Sequence, residues 1–325
     1  MSEESEIENP KSKIAYVFPG QGSQSVGMGK DLYDNFPAAK QVFEEADDAL
    51  RFSLSEMCFT GREADLQLTA NTQPAILTVS IAAFRSIEAE NFPLPDFVAG
   101  HSLGEYSALV AANALSFSDA VKTVRKRGTY MQEAVPNGAG AMAAILGLPL
   151  ETVEIACADA AQNEICSPAN INSPAQIVIA GNTAAVDRAC ELLKERGAKR
   201  AIKLNVSAPF HCDLMLAAQE RLAKDLRKIN FSDLKFPIIE NVSAEANAKG
   251  ERVGIALTEQ VSKPVRWADS IENLINEGVG TFVEVGAGKV LSGLVRQINR
   301  DVRCLNVENA ESLKNSLQAV TGSSR

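Results

Sequence analysis

The chain has 325 residues, 46% apolar and 22% charged, an ordinary balance for a globular protein long enough to bury one large core and one smaller one. Its net charge of −9 excludes a general nucleic-acid binder, because phosphate contacts need a dense basic surface. No run approaches the ~18 uninterrupted apolar residues of a membrane span, and the first residues, MSEESEIENPKSK, are acidic and polar where a secretory signal is basic and then apolar, so a cytoplasmic location is expected.

In chain order, residues 1–12 read as a disordered tail. Ile14 to Phe18 (IAYVF) is a continuous apolar strand running into Pro19-Gly20-Gln21-Gly22-Ser23-Gln24 and a helical segment. The same strand, glycine turn and helix recur where Phe97, Val98 and Ala99 meet GHSLGE and the Ala-rich stretch Tyr106 to Leu115, and again at Thr281 to Ile298. Repeated units of this kind predict an α/β domain with a mostly parallel sheet and functional loops at the carboxyl ends of its strands. The middle of the chain has another rhythm: strand from Ala141, helix over PLETVEIACADAAQ, strands at 165–172 and 176–181, helix over TAAVDRACELLKERG, strand at 200–206. That βαββαβ order is the split βαβ or ferredoxin-like arrangement. It predicts a small domain over 138–206 inserted into a large domain formed by 13–137 and 207–317, with 318–325 a second tail.

Gly100-His101-Ser102-Leu103-Gly104 fits the Gly-x-Ser-x-Gly nucleophile elbow, which projects a serine hydroxyl from a sharp strand-to-helix turn. A serine needs a base, and histidine is the usual one. The chain has only two histidines. His101 adjoins the serine, where alternating backbone direction aims its ring elsewhere, so elimination selects His211. The acids between serine and histidine, such as Asp119, Glu154, Asp187 and Glu191, fall on helical faces that read as solvated, so a dyad with a non-carboxylate orienter stands beside a full triad. In the helix from Ser118 to Val135, Arg127 falls on the apolar seam of Ala120, Val124, Met131 and Ala134, whereas Arg125 and Lys126 project elsewhere and read as solvated. A core-facing guanidinium needs an anion: either an internal Asp or Glu, or a substrate carboxylate held in a bidentate clamp.

Other patterns are mostly negative. The loop at 20–24 has the wrong spacing for a dinucleotide fingerprint, although a loop after the first strand is well placed to offer an N–H to an oxyanion. Gly286-Ala287-Gly288-Lys289 lacks the upstream glycine and following Ser or Thr of a P-loop. Six scattered cysteines with no Cys-x-x-Cys pair read as reduced and internal. No metal and no cofactor are expected.

FPGQGSQ at 18–24, TQPA at 72–75, GHSLGE at 100–105, RGTYMQEAVP at 127–136, INSPAQIVIAG at 171–181, APFH at 208–211, QVSKPVRW at 260–267 and EVGAGKVLSGL at 284–294 together resemble the malonyl-CoA:acyl carrier protein transacylases of fatty-acid synthesis, relatives of polyketide synthase acyltransferase domains. The resemblance runs from about Lys13 to Leu317. It implies an α/β-hydrolase-like core with a ferredoxin-like insert, and ping-pong transfer of malonyl from malonyl-CoA, the substrate, to the thiol of acyl carrier protein. It also implies Ser102 as nucleophile, His211 as base, the backbone amides of Gln21 and Leu103 as oxyanion hole and Arg127 as the carboxylate clamp. The Gln260 main-chain carbonyl would orient His211, Asn172 would lie near the cleft, and Phe210 would crowd an α-methyl branch. An acidic carrier protein would dock on local cations such as Lys263, Arg266, Lys289, Arg296 and Arg300. The rival readings are a trans-acting polyketide acyltransferase, a serine thioesterase sharing the same elbow, and a non-catalytic scaffold, against which both Ser102 and His211 count.

Overall fold

A computed structural model describes residues 12–206 and 208–322. Its ten strands are β1 Lys13–Phe18, β2 Phe97–Gly100, β3 Gly140–Leu146, β4 Cys166–Ser173, β5 Gln176–Asn182, β6 Arg200–Lys203, β7 Ile238–Ile239, β8 Ala246–Asn247, β9 Val279–Val285 and β10 Arg303–Val307. The apolar run IAYVF has no polar face, and β1 accordingly lies inside a six-stranded sheet ordered β10-β9-β1-β2-β7-β8. All neighbours pair in parallel except β7 with β8. Tyr16 and Phe18 enter one core with helices Thr69–Ala89, Gly104–Ala111 and Phe117–Glu133, while Ala15 and Val17 enter the opposite core with helices Trp267–Asn276 and Val290–Ile298. Helix Thr69–Ala89 is buried along almost its whole circumference. It carries TQPA, with Pro74 inside it.

The chain leaves β1 toward β2 on one side while β9 flanks β1 on the other. The loops after β1 and β2 therefore lie together at the carboxyl ends of adjacent parallel strands, the end at which ligands of open parallel sheets bind.

The second sheet is antiparallel and ordered β4-β5-β3-β6. Along β3 and β5 alternate residues face opposite ways. Ala143, Ile145, Ile177 and Ile179 pack on helices Leu150–Ala161 and Thr183–Glu195, whereas Met142, Ala144, Val178 and Ala180 join the large core. Strand β4 also reaches the other unit's segment 260–267: Ile171 N–H donates to the Val265 carbonyl and Val265 N–H to Ala169, both at 2.9 Å.

One expectation shifts. The tail expected from 318 begins later, because helix Ala310–Thr321, capped by Asn309, keeps Leu317 and Val320 against the core. The tail expected at 1–12 lies outside the described residues except for exposed Ser12. Among the described residues, no helix is long and apolar enough to cross a membrane.

Candidate active site

The turn at Ser102 follows from what two glycines leave out. A Cβ on Gly100 would lie 2.0 Å from the Gly104 carbonyl carbon, and one on Gly104 would lie 2.0 Å from the Phe18 carbonyl oxygen. Only hydrogen at both positions lets helix Gly104–Ala111 start directly behind β2 and against β1. Between them Ser102 has φ 51, a left-handed conformation that costs about 1–3 kcal/mol and survives only when its surroundings enforce it. Asn241 supplies the enforcement: its Oδ1 accepts the Ser102 backbone N–H at 2.7 Å and its Nδ2 donates to the Gly100 carbonyl at 2.6 Å.

Opposite the elbow, His211 sits on a turn at φ 60 and is 3% exposed. Its Nε2 lies 2.8 Å from Ser102 Oγ, and its Nδ1 lies 2.7 Å from the Gln260 main-chain carbonyl. A carbonyl only accepts, so Nδ1 carries the proton and Nε2 is left as acceptor for the serine hydroxyl. Burial, and then the charge of Arg127, push the imidazole down to about 3. The ring is thus neutral and able to take a proton. No Asp or Glu is hydrogen-bonded to it among the described residues.

Arg127 is 1% exposed on helix Phe117–Glu133. Its Nη1 donates to Gln73 Oε1 at 2.8 Å, and its Nη2 donates to Gln260 Oε1 at 2.8 Å and to Ser102 Oγ at 3.1 Å. The guanidinium lies over the Tyr106 ring, 5.7 Å from its centroid. Among the described residues no carboxylate pairs with it, and its Nε is buried without a partner. Of the two readings of a core-facing Arg127, the internal ion pair is therefore not the one present. A full cation sits beside the serine hydroxyl with neutral partners, and burial lowers its pKa.

The remaining expected positions converge on the same place. A Cβ on Gly20 would lie 2.4 Å from the His101 carbonyl, so the loop bearing Gln21 is pressed against the elbow. The backbone N–H groups of Gln21 and Leu103 donate to no protein group among the described residues. Asn172, near the end of β4, places its Oδ1 2.8 Å from His101 Nε2, and the His101 ring lies beside Trp267. Phe210 is buried in the large core next to His211.

The acyl transferase domain family matches residues 15–316. The malonyl CoA-acyl carrier protein transacylase of Bacillus subtilis is 51% identical over 310 residues, covering 95% of this chain and 98% of that protein. The chain belongs to the malonyl CoA-acyl carrier protein transacylase family. An acyl carrier protein S-malonyltransferase from Vibrio cholerae superposes with a TM-score of 0.92 at 46% identity, covering 94% of this chain and 100% of that one. A malonyl-transacylase solved in complex with a type II PKS acyl-carrier protein gives 0.93 at 44%, covering 95% and 100%. The mixed α/β fold with a sheet rich in parallel pairs is that of these structures.

Against this family background, some expectations change. Arg125 is not solvated: it is half-buried, stacked 5.2 Å over Phe52, and it donates to the Ala70 carbonyl and to Asn71 Oδ1. Its stem spans the groove between helices Phe117–Glu133 and Thr69–Ala89, so packing overrides the helical wheel. Lys126 is exposed and pairs with Asp225. Of the five docking cations, Arg266 and Lys289 pair with Asp269 and Glu308, and Arg296 donates to the Cys304 carbonyl. Among the described residues no group of His, Cys, Asp and Glu has a metal-binding arrangement.

Sequence reasoning missed Asn241, Gln73 and the side chain of Gln260. A lone amide has no spacing rule, and TQPA offered the one local signal for Gln73. Gln260 was expected for its carbonyl alone, yet its Nε2 also donates to the Ser102 carbonyl and to Glu105 Oε2.

Proposed function

We propose that this chain moves a malonyl group from malonyl-CoA to the phosphopantetheine thiol of acyl carrier protein through a malonyl-Ser102 intermediate. The observation that carries the reading is Arg127, a buried guanidinium without a carboxylate partner whose Nη2 lies 3.1 Å from the nucleophile. A site meant for uncharged acyl groups gains little from a cation whose nearby carboxyl, Glu105, reaches it only through Gln260, whereas a malonyl carboxylate supplies a direct anionic partner.

The reaction runs in two matched halves. Ser102 Oγ attacks the thioester carbon while its proton passes to His211 Nε2. The tetrahedral oxyanion is held by the amides of Gln21 and Leu103, contacts of a kind worth roughly 3 kcal/mol each. Collapse breaks the carbon–sulfur bond, and coenzyme A leaves with the proton from His211. The carrier's thiol then gives its proton to His211, its sulfur attacks the malonyl ester, and Ser102 Oγ leaves and regains the proton. Both ends are thioesters, so no nucleotide and no metal or organic cofactor are needed. The carbonyl of Gln260 orients the imidazole without stabilising imidazolium as a carboxylate does, which disfavours activation of water and protects the acyl-enzyme. Phe210, next to His211 in the chain, would crowd an α-methyl branch, and Asn172 holds the His101 ring.

The same proposal covers the architecture. The six-stranded sheet belongs to an α/β-hydrolase-like core formed by 13–137 and 208–321, and 138–206 is a ferredoxin-like insert. What supports the insert is its strand order β4-β5-β3-β6 over two helices on one face. A cytoplasmic location accords with the soluble carrier it serves.

The test is to incubate the protein with malonyl-CoA, measure its mass and map the adduct, then add holo acyl carrier protein. One malonyl group on Ser102 that moves to the carrier is expected. Release to water alone indicates a thioesterase, and absence of an adduct sinks the proposal.

A further inference from the structure

Glu105 closes the elbow motif but touches none of the reacting atoms. It lies in the first turn of helix Gly104–Ala111, 2% exposed, and it has no ion-pair partner among the described residues. Burying a carboxyl group without an ion-pair partner is costly; the Asn241 backbone N–H and the more distant Arg127 charge offset part of that cost, and a side chain meets it as well. That side chain is Gln260, whose Nε2 donates to Glu105 Oε2 at 2.7 Å.

Gln260 is itself fully buried and is the junction of the site. Its Oε1 accepts from Arg127 Nη2 at 2.8 Å, its Nε2 also donates to the Ser102 carbonyl at 2.8 Å, and its own carbonyl accepts from His211 Nδ1 at 2.7 Å. The two ends of a primary amide are almost the same shape, so partners alone decide which end points where. Arg127 can only donate, which suits the amide oxygen. The Ser102 carbonyl can only accept, but it already takes the Glu105 backbone N–H at 3.1 Å. Glu105 supplies the second acceptor for the NH2 end. With Glu105 in place, a flipped amide would set its oxygen against the carboxyl and its N–H groups against the guanidinium.

We propose that Glu105 is a positioning residue that locks the orientation of Gln260 and thereby holds the Arg127 clamp and the His211 base in one geometry. This rests on the malonyl-transfer reading. Burial, helped by the charge of Glu240, pushes the Glu105 carboxyl up to about 8 against the pull of Gln260, the Asn241 backbone N–H and Arg127, and either protonation state keeps an acceptor oxygen for Gln260. The role therefore lies in the hydrogen bond more than in the charge.

The experiment compares Glu105→Ala, Glu105→Gln and Glu105→Asp with wild type, measuring acylation of Ser102 by malonyl-CoA and by acetyl-CoA, with thermal midpoints as the folding control. Glu105→Ala is expected to lower malonyl kcat/KM roughly 10–100-fold, the scale for removing a partner that orients an active group. Because Arg127 loses its prop, the preference for malonyl over acetyl falls as well. Glu105→Gln, whose amide oxygen accepts the same N–H, restores most of both. Glu105→Asp keeps the carboxyl group but withdraws the acceptor by one methylene, so it behaves like Ala and replaces it where Ala fails to fold. A folded Ala or Asp variant with unchanged rate and preference overturns the inference, as does a folded Gln variant that rescues neither. Wild type that forms no malonyl-Ser102 sinks the functional reading instead.

Discussion

Replacing Arg127 by alanine separates a malonyl site from a general acyl site. The guanidinium is 1% exposed, its hydrogen-bond partners among the described residues are two glutamines and Ser102, and its charge faces the nucleophile. A malonyl carboxylate bound there forms a buried, hydrogen-bonded ion pair, and removing one partner of such a pair costs about 3–5 kcal/mol. At 1.4 kcal/mol per decade that corresponds to roughly 10²–10³·⁵ in kcat/KM for malonyl-CoA. Acetyl-CoA carries no carboxylate and loses only the support that Arg127 gives Ser102 and Gln260, on the scale of a hydrogen bond from a charged group, roughly tenfold. Ser102 acylation by each thioester, followed by rapid quench and intact mass, gives both constants, and a thermal midpoint shows that the variant is folded. Arg127→Ala should therefore erase most of the discrimination between the two substrates. Equal losses for malonyl and acetyl would refute the clamp and return Arg127 to a structural role.

Two further outcomes follow from the same geometry. The His211 pKa is lowered from 6.5 to about 3 by burial and Arg127, so the folded base stays neutral where a free imidazole titrates. Acylation measured against pH should show no acid limb near 6.5, and a limb there contradicts the assignment. By linkage, the unfolded chain binds a proton between these values and the folded one does not, so this group's stability is present above 6.5 and is lost as pH falls toward about 3. Gly104→Ala drives a Cβ to 2.0 Å from the Phe18 carbonyl oxygen, whereas Gly293→Ala, on helix Val290–Ile298, meets nothing within 4 Å. Urea unfolding should show a loss of about 4 kcal/mol or more for the first and a change within ~1 kcal/mol for the second; comparable effects would mean that the elbow is not sterically set.

The sequence by itself determined the local devices. Apolar IAYVF can only be a strand covered on both faces. Gly100 and Gly104 bracket a serine whose turn no other residue type permits, and scarcity of histidine assigned His211 before any distance was known. The βαββαβ order of 138–206 was legible in its alternation of strand and helix segments. Each of these is written in contiguous residues, where spacing and side-chain size act directly. Arg127 was legible as a core-facing charge, but its partner was not, because a helical wheel shows which side a residue faces and never what waits there. The same blindness misplaced Arg125, whose long stem crosses to Ala70 and Asn71. Only the tertiary structure decided that the cation is left with amides, that Asn241 pins the elbow 139 residues away, and that Gln260 joins nucleophile, base, clamp and Glu105 at one buried side chain. Those contacts join segments that meet only once β1, β2 and β7 lie side by side, and a hydrogen bond between distant amides leaves no period, composition or spacing in the chain from which it can be read.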